Sequence, residues 1–204
     1  MNGAQSLVQT LVNCGVRVCF SNPGTSEMHF VAALDSAPEM RAVLCLFEGV
    51  ATGAADGYGR IAGVPAATLL HLGPGLANGL ANLHNARRAN TPIVNVVGDH
   101  ATYHLQYDAL LTSDIVGFAR PVSSWVHESK SALTVAGDAA RAVQAATAAP
   151  GGVATLILPA DTAWNEADRP SPKLPDVGPA PVSAQAIDDI AKLLGNGKKT
   201  AILL

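Results

Sequence analysis

Aromatic and charged side chains are both scarce in this sequence: Phe, Trp and Tyr make up 4% of its 204 residues, and Asp, Glu, Lys and Arg 14%. Apolar content is nevertheless high and Ala and Gly are abundant, which favours helices packed closely on a sheet over an all-β fold. Basic residues are too few for a nucleic-acid surface, with a net charge of −3 and no basic stripe. No apolar run reaches the roughly 20 residues a membrane span needs. The amino end, Met-Asn-Gly-Ala-Gln-Ser, lacks the charged-then-apolar pattern of a signal peptide, so no membrane partner and a cytoplasmic location are expected. The three cysteines, Cys14, Cys19 and Cys45, have no metal-ligand spacing and read as buried free thiols in a reducing compartment. No metal site is expected on this chain.

What is present is a regular alternation. Residues 3–15 carry Leu7, Leu11 and Val12 at helical spacing, closed by Gly15. Strands are predicted at 16–20, 41–47, 65–71, 92–98, 121–126 and 152–158, and the run 41–47 reads as a buried strand. Helices are predicted at 28–34, from Glu48 to about Ile61, from the Gly-rich turn at 72–79 to near Arg88, and at 131–149. Residues 99–113 read as a longer loop of the kind that carries function. This pattern specifies an α/β fold, a doubly wound six-stranded parallel sheet with helices on both faces. From Pro159 to Pro181 repeated Pro and mixed charge suggest an extended linker. A helix over 182–194 and a strand over 199–204 follow, too little to bury a core of their own. The expectation is a piece of a longer protein that ends just inside a second domain. The boundaries so drawn are 1–165, a linker at 166–182, and 183–204.

Three turns carry unusual residues at the carboxyl ends of strands: Asn22-Pro-Gly-Thr-Ser-Glu27, Glu48, and His71-Leu-Gly-Pro-Gly-Leu-Ala-Asn78. A parallel sheet gathers them on one edge, where they can converge on a ligand. Each also has a plain structural explanation. Glu48 could simply satisfy N–H groups at a helix start, His71 could be a capping histidine, and the Pro-Gly turns could be tight connections. A dinucleotide reading of Gly73-x-Gly75 is weak, because Asn78 stands where the third glycine belongs and Pro74 fills the intervening position.

In this order the motifs are more specific. Gly15-Val-x-x-x-Phe20, Asn22-Pro-Gly24, Glu27, Glu48 followed by Ala-Ala-Asp-Gly-Tyr58, Gly73-Pro-Gly75, Asn78-Gly-Leu80 and Thr91-Pro-Ile93 can be matched as a set. With them, residues 1–165 resemble the amino-terminal, pyrimidine-binding domain of thiamine-diphosphate-dependent enzymes. That group includes acetolactate synthase, benzoylformate decarboxylase and pyruvate decarboxylase. The resemblance implies a cofactor, thiamine diphosphate with Mg2+, and a 2-oxo acid substrate. A glutamate at the Glu48 position would hydrogen-bond the cofactor's aminopyrimidine and activate it, helped by desolvation from the apolar run before it. His71 falls where decarboxylase members carry a proton-handling histidine, and Thr25 where they carry a hydroxyl that contacts the substrate carboxylate. Asn22, Pro23, Gly24, Gly73, Pro74, Gly75 and Asn78 would line the cofactor.

The segment 72–78 reads more like the synthase pattern, so carboligation and decarboxylation both stay open, as does a flavin (FAD) requirement. His100 and His104 are further candidates, though solvated loop histidines are the better explanation of them. The family's diphosphate site, Gly-Asp-Gly with a downstream Asn, has no counterpart here; Gly98-Asp-His100 is not a substitute. The resemblance therefore implies a carboxyl-terminal diphosphate-binding domain elsewhere and a homodimer or homotetramer. The other reading is a separate pyrimidine-domain subunit of a split decarboxylase, inactive without its partner chain.

Overall fold

Apolar strand runs alternating with helices build three layers, seen in a computed structural model that describes residues 1–203. In chain order the elements are α1 (Gly3–Asn13), β1 (Val18–Asn22), α2 (Met28–Leu34), β2 (Arg41–Leu44), α3 (Glu48–Ala62), β3 (Ala66–His71), α4 (Leu72–Arg88) and β4 (Ile93–Asp99). They continue with α5 (Ile115–Ala119), β5 (Trp125–Glu128), α6 (Val135–Thr147), β6 (Val153–Pro159), α7 (Ala160–Trp164) and α8 (Ala184–Leu194). Short 3-10 turns lie at Thr25–Glu27 and Leu105–Tyr107. α1 starts on a reciprocal cap: the Asn2 side chain accepts from the Gln5 N–H, and the Gln5 side chain accepts from the Asn2 N–H, each at 2.9 Å.

All strand pairs are parallel, in the order β2-β1-β3-β4-β6-β5. The sheet is therefore the doubly wound one expected. Alternation along the central strands feeds two cores. Ala67, Leu69, Val94 and Val96 pack under α1, α2, α6 and α7. Ala66, Leu70, Ile93 and Val97 pack under α3, α4 and α5. Each fully buried Leu or Ile contributes about 1.5–3 kcal/mol before conformational entropy is charged against it. The three cysteines are buried and unpaired. Burial pushes the Cys19 thiol up to about 12, with the nearby Cys45 adding to the shift. Among the described residues no helix is long and apolar enough to cross a membrane.

The structure corrects four expectations. The run 41–47 is not a buried strand: β2 stops at Leu44, pairs only with β1, and leaves Leu44 70% and Leu46 92% exposed. An apolar run looks the same at a sheet edge as at its centre. β5 lies at Trp125–Glu128 rather than 121–126, because α5 intervenes, capped by the Asp114 side chain on the Gly117 N–H. The segment from Pro159 is not extended throughout: it forms α7, and the chain beyond it is tied to α1 through Ser6 Oγ to the Asp168 carbonyl and the Ser171 N–H to Thr10 Oγ1. Residues 199–203 form no strand, having no neighbour to pair with, and Leu204 lies outside the described residues. α8 is formed as expected, with none of its residues buried.

A polar ladder crosses the middle of the sheet. Thr68 Oγ1 donates to Asn95 Oδ1 at 2.7 Å and Asn95 Nδ2 donates to Thr155 Oγ1 at 3.0 Å, with all three residues fully buried. Asn95→Ala orphans Thr68 inside the sheet, where an unmet hydroxyl is costly. Urea denaturation should show a loss of about 2–3 kcal/mol for that variant; an unchanged midpoint would contradict the ladder's role.

Candidate active site

Because every strand is parallel, the ends of β1, β3 and β4 open on the same edge. The strand order reverses between β1 and β3, the crevice position that ligands use in open α/β sheets. Glu48 is the first residue of α3, four residues past the end of β2. Its Oε2 accepts from Asn78 Nδ2 on α4 at 3.0 Å, and no hydrogen bond reaches Oε1 among the described residues. Gly75 keeps the space beside it open. A Cβ built there would sit 3.5 Å from both Glu48 Oε1 and His71 Cβ, which places these two side chains around one point. The run expected to desolvate Glu48 does not do so within this chain, since Leu46 and Phe47 are themselves open to solvent.

The desolvated carboxylate is instead Glu27, whose side chain is fully buried. Its Oε2 accepts from the Gly24 N–H at 2.7 Å and lies 2.7 Å from His71 Nδ1. Its Oε1 is buried without a partner. Two glycines make the arrangement possible. A Cβ on Gly98 would fall 1.6 Å from Glu27 Oε1, and one on Gly24 would fall 2.5 Å from the His71 ring. After His71 the chain turns sharply into α4 through the buried Leu72, at φ +54°, a conformation that costs about 1–3 kcal/mol for a non-glycine residue.

The remaining candidates divide. Asn22 Nδ2 donates to the Cys45 carbonyl at 2.9 Å, tying the end of β1 to the end of β2. Pro23 precedes Gly24 in the same turn, Gly73 packs against Ser113, and Pro74 is exposed. Thr25 opens into a neighbouring cavity of about 220 Å3, lined also by Ser26, His100, Tyr103, His104 and Trp164. Within it His100 Nε2 lies 3.1 Å from the Leu110 carbonyl, and the His100 and His104 rings are 5.6 Å apart. Glu48, Asn78, Gly75, His71 and Gly24 are thus brought together, while the Asn22 amide is spent on the backbone. Sequence reading quoted Glu27 within its motif but gave it no part in the site. The available signal was an acidic residue three positions after Gly24, on the same sheet edge as His71.

Burial, opposed by the Gly24 N–H and His71, lifts the Glu27 carboxyl above its ordinary 4.5. Burial likewise lifts Asp99, opposed first by the His100 N–H. Ionising a group whose folded pKa is raised opposes folding: its contribution is complete below the unfolded value and is lost as pH rises through the folded one. Unfolding free energy measured by urea titration should therefore fall more steeply between pH 4.5 and neutrality in the parent chain than in Glu27→Gln. Parallel curves would contradict this.

Residues 1–118 match the family described as "Thiamine pyrophosphate enzyme, N-terminal TPP binding domain". A Mycobacterium tuberculosis protein whose name, IlvX, sets it with the acetolactate synthase large subunits is 58% identical over 205 residues, covering all of this chain and 39% of its own length. Benzoylformate decarboxylase of Pseudomonas aeruginosa is 32% identical over 148 residues, 72% of this chain and 28% of that enzyme. The acetolactate synthase isozyme 3 large subunit of Escherichia coli is 30% identical over 186 residues, 91% of this chain and 32% of that subunit. The chain spans well under half the length of each of these relatives. Among solved structures, the thiamine diphosphate-dependent 4-hydroxybenzoylformate decarboxylase of Rhodococcus jostii RHA1 superposes with a TM-score of 0.83 at 24% identity, over 95% of this chain and 37% of that one, and shares its fold. With the family match spanning the strands and turns that hold Glu27, Glu48 and His71, the chain belongs to the thiamine pyrophosphate enzymes, through their amino-terminal TPP-binding domain.

Proposed function

We propose that this chain supplies the pyrimidine half of a thiamine diphosphate site and that Glu48 is its cofactor-activating carboxylate. One observation carries the reading: Asn78 holds Glu48 by one oxygen and leaves the other unbonded beside the opening at Gly75. A flat heteroaromatic ring with a weakly basic nitrogen suits that opening, and the exposed Leu46, Phe47 and Val50 at the start of α3 offer apolar surface beside it. When bound, thiamine diphosphate would supply a carbon nucleophile and a sink for the electron pair released as a 2-oxo acid loses carbon dioxide.

The chain's own residues divide the remaining work. Glu48 exchanges a proton with the ring nitrogen, a transfer of the kind a positioned carboxylate accelerates by about 10²–10⁴-fold. His71 moves a proton to or from the atoms that come from substrate, and Thr25 hydrogen-bonds the substrate carboxylate. Carboligation and decarboxylation differ in whether a second 2-oxo acid or a proton is the final acceptor, and His71 is the group placed to deliver that proton.

Among the described residues no group of three or more His, Cys, Asp or Glu side chains could hold a metal. The reading accordingly assigns Mg2+ and the diphosphate to a separate domain, with assembly as a homodimer or homotetramer in the cytoplasm. It also divides the chain into a pyrimidine-binding domain at 1–165, a linker at 166–182 and the beginning of a further domain at 183–204. The unburied Ile187, Ile190 and Leu194 of α8 support that last boundary. In the intact enzyme Glu48→Gln should preserve the circular dichroism spectrum and lower turnover of 2-oxo acids by about 10²-fold or more. Full turnover in that variant would overturn the assignment.

A further inference from the structure

A buried carboxylate with one oxygen unpartnered is costly and needs compensation from its other contacts. At Glu27 those contacts converge on one atom. The Gly24 N–H and His71 Nδ1 both lie 2.7 Å from Oε2, while Oε1 faces the missing side chain of Gly98. We propose that Glu27 is a positioning residue: it accepts the Nδ1–H of His71, fixes the ring's tautomer and orientation, and leaves Nε2 as the nitrogen that exchanges the substrate's proton. This rests on the reading of His71 as the proton-handling group.

The direction of the hydrogen bond follows from the acceptor count. An oxygen already accepting from the Gly24 N–H has one lone-pair direction left, and His71 Nδ1 occupies it. A proton on Oε2 would have to displace one of these bonds, and a proton on Oε1 would find no acceptor. Oε2 is therefore an acceptor twice over and Nδ1 the donor. In a neutral imidazole that makes Nε2 the basic nitrogen, and Nε2 has no hydrogen-bond partner among the described residues. A proton taken up at Nε2 gives an imidazolium whose charge the carboxylate offsets. Release from Nε2 restores the neutral Nδ1–H ring, so nothing else need be supplied.

The titratable groups on the elements packed around the pair are engaged elsewhere. On α2, His29 stacks on Trp164, and on α7 Asp161 accepts from the Thr102 N–H and hydroxyl. At the end of β4 Asp99 accepts from the His100 N–H, and across Gly75 Glu48 accepts from Asn78. Glu27 is thus the group bonded to the His71 ring. The lift that burial gives its carboxyl is the cost the fold bears for holding it there.

Nitrogen-15 NMR of the histidine rings in this chain, without cofactor, tests the proposal. In its neutral form the His71 ring should be found as the Nδ1–H tautomer. In Glu27→Ala, which removes the acceptor from Nδ1, the neutral ring should shift toward the Nε2–H tautomer. The Nε2–H tautomer in the parent chain would overturn the proposal, and so would a Glu27→Ala variant with the parent's tautomer. The first readout needs no variant, so a variant that fails to fold leaves the test intact. A merely structural Glu27 would change the unfolding midpoint while the tautomer stayed as it is in the parent. Because no cofactor is present, failure here leaves the Glu48 assignment standing, and failure of the Glu48 assay leaves this result unaltered.

Discussion

Six strands running the same way put every βα turn on one edge of the sheet, and this constraint decides where chemistry can occur in the chain. Residues far apart in sequence, at the ends of β1, β3 and β4 and at the start of α3, become neighbours because their strands share a direction. The hydrophobic cores on the two faces hold the edge in place without touching it. Phe30, Leu69 and Leu156 fill one and Leu70, Leu76 and Leu83 the other, all fully buried. The site is consequently assembled from turns fixed on a rigid support, which suits proton transfers that tolerate little displacement.

Within that edge two carboxylates meet different fates. Glu48 is partly exposed, held by a single amide from Asn78, with an oxygen to spare. Glu27 is sunk between glycines and committed to an imidazole. The difference comes from the neighbouring backbone rather than from the acids themselves. β4 admits Glu27 only because residue 98 has no side chain, and the 3-10 turn at Thr25–Glu27 returns the carboxylate to the Gly24 N–H. Two like groups with opposed surroundings are a common basis for divided acid–base roles.

Much of this was legible in the residues. Continuous apolar runs marked the central strands, and the Gly-rich turns after them marked the helix starts, so the sheet and the location of Glu48 and His71 followed. The edge position of β2 was not legible, because exposure of Leu44 and Leu46 depends on which strands lack a neighbour. The shift of β5 came from α5, a five-residue helix too short to show periodicity. The pairing of Glu27 with His71 was hidden for the same reason as β2: it depends on Gly98, a contact that exists only once β3 and β4 lie side by side. The strand expected near the carboxyl end shows the converse, since a suitable apolar run forms no strand when nothing lies beside it.

The central claim is that the cofactor's pyrimidine ring docks between Glu48, Asn78 and Gly75. The most direct measurement is a titration of the nitrogen-15-labelled chain with thiamine diphosphate and Mg2+, followed by amide and side-chain NMR shifts. Without a diphosphate-binding domain the affinity should be weak, about millimolar, with shifts confined to the starts of α3 and α4 and abolished by Glu48→Gln. Shifts centred elsewhere on the sheet, or unchanged in that variant, would contradict the account.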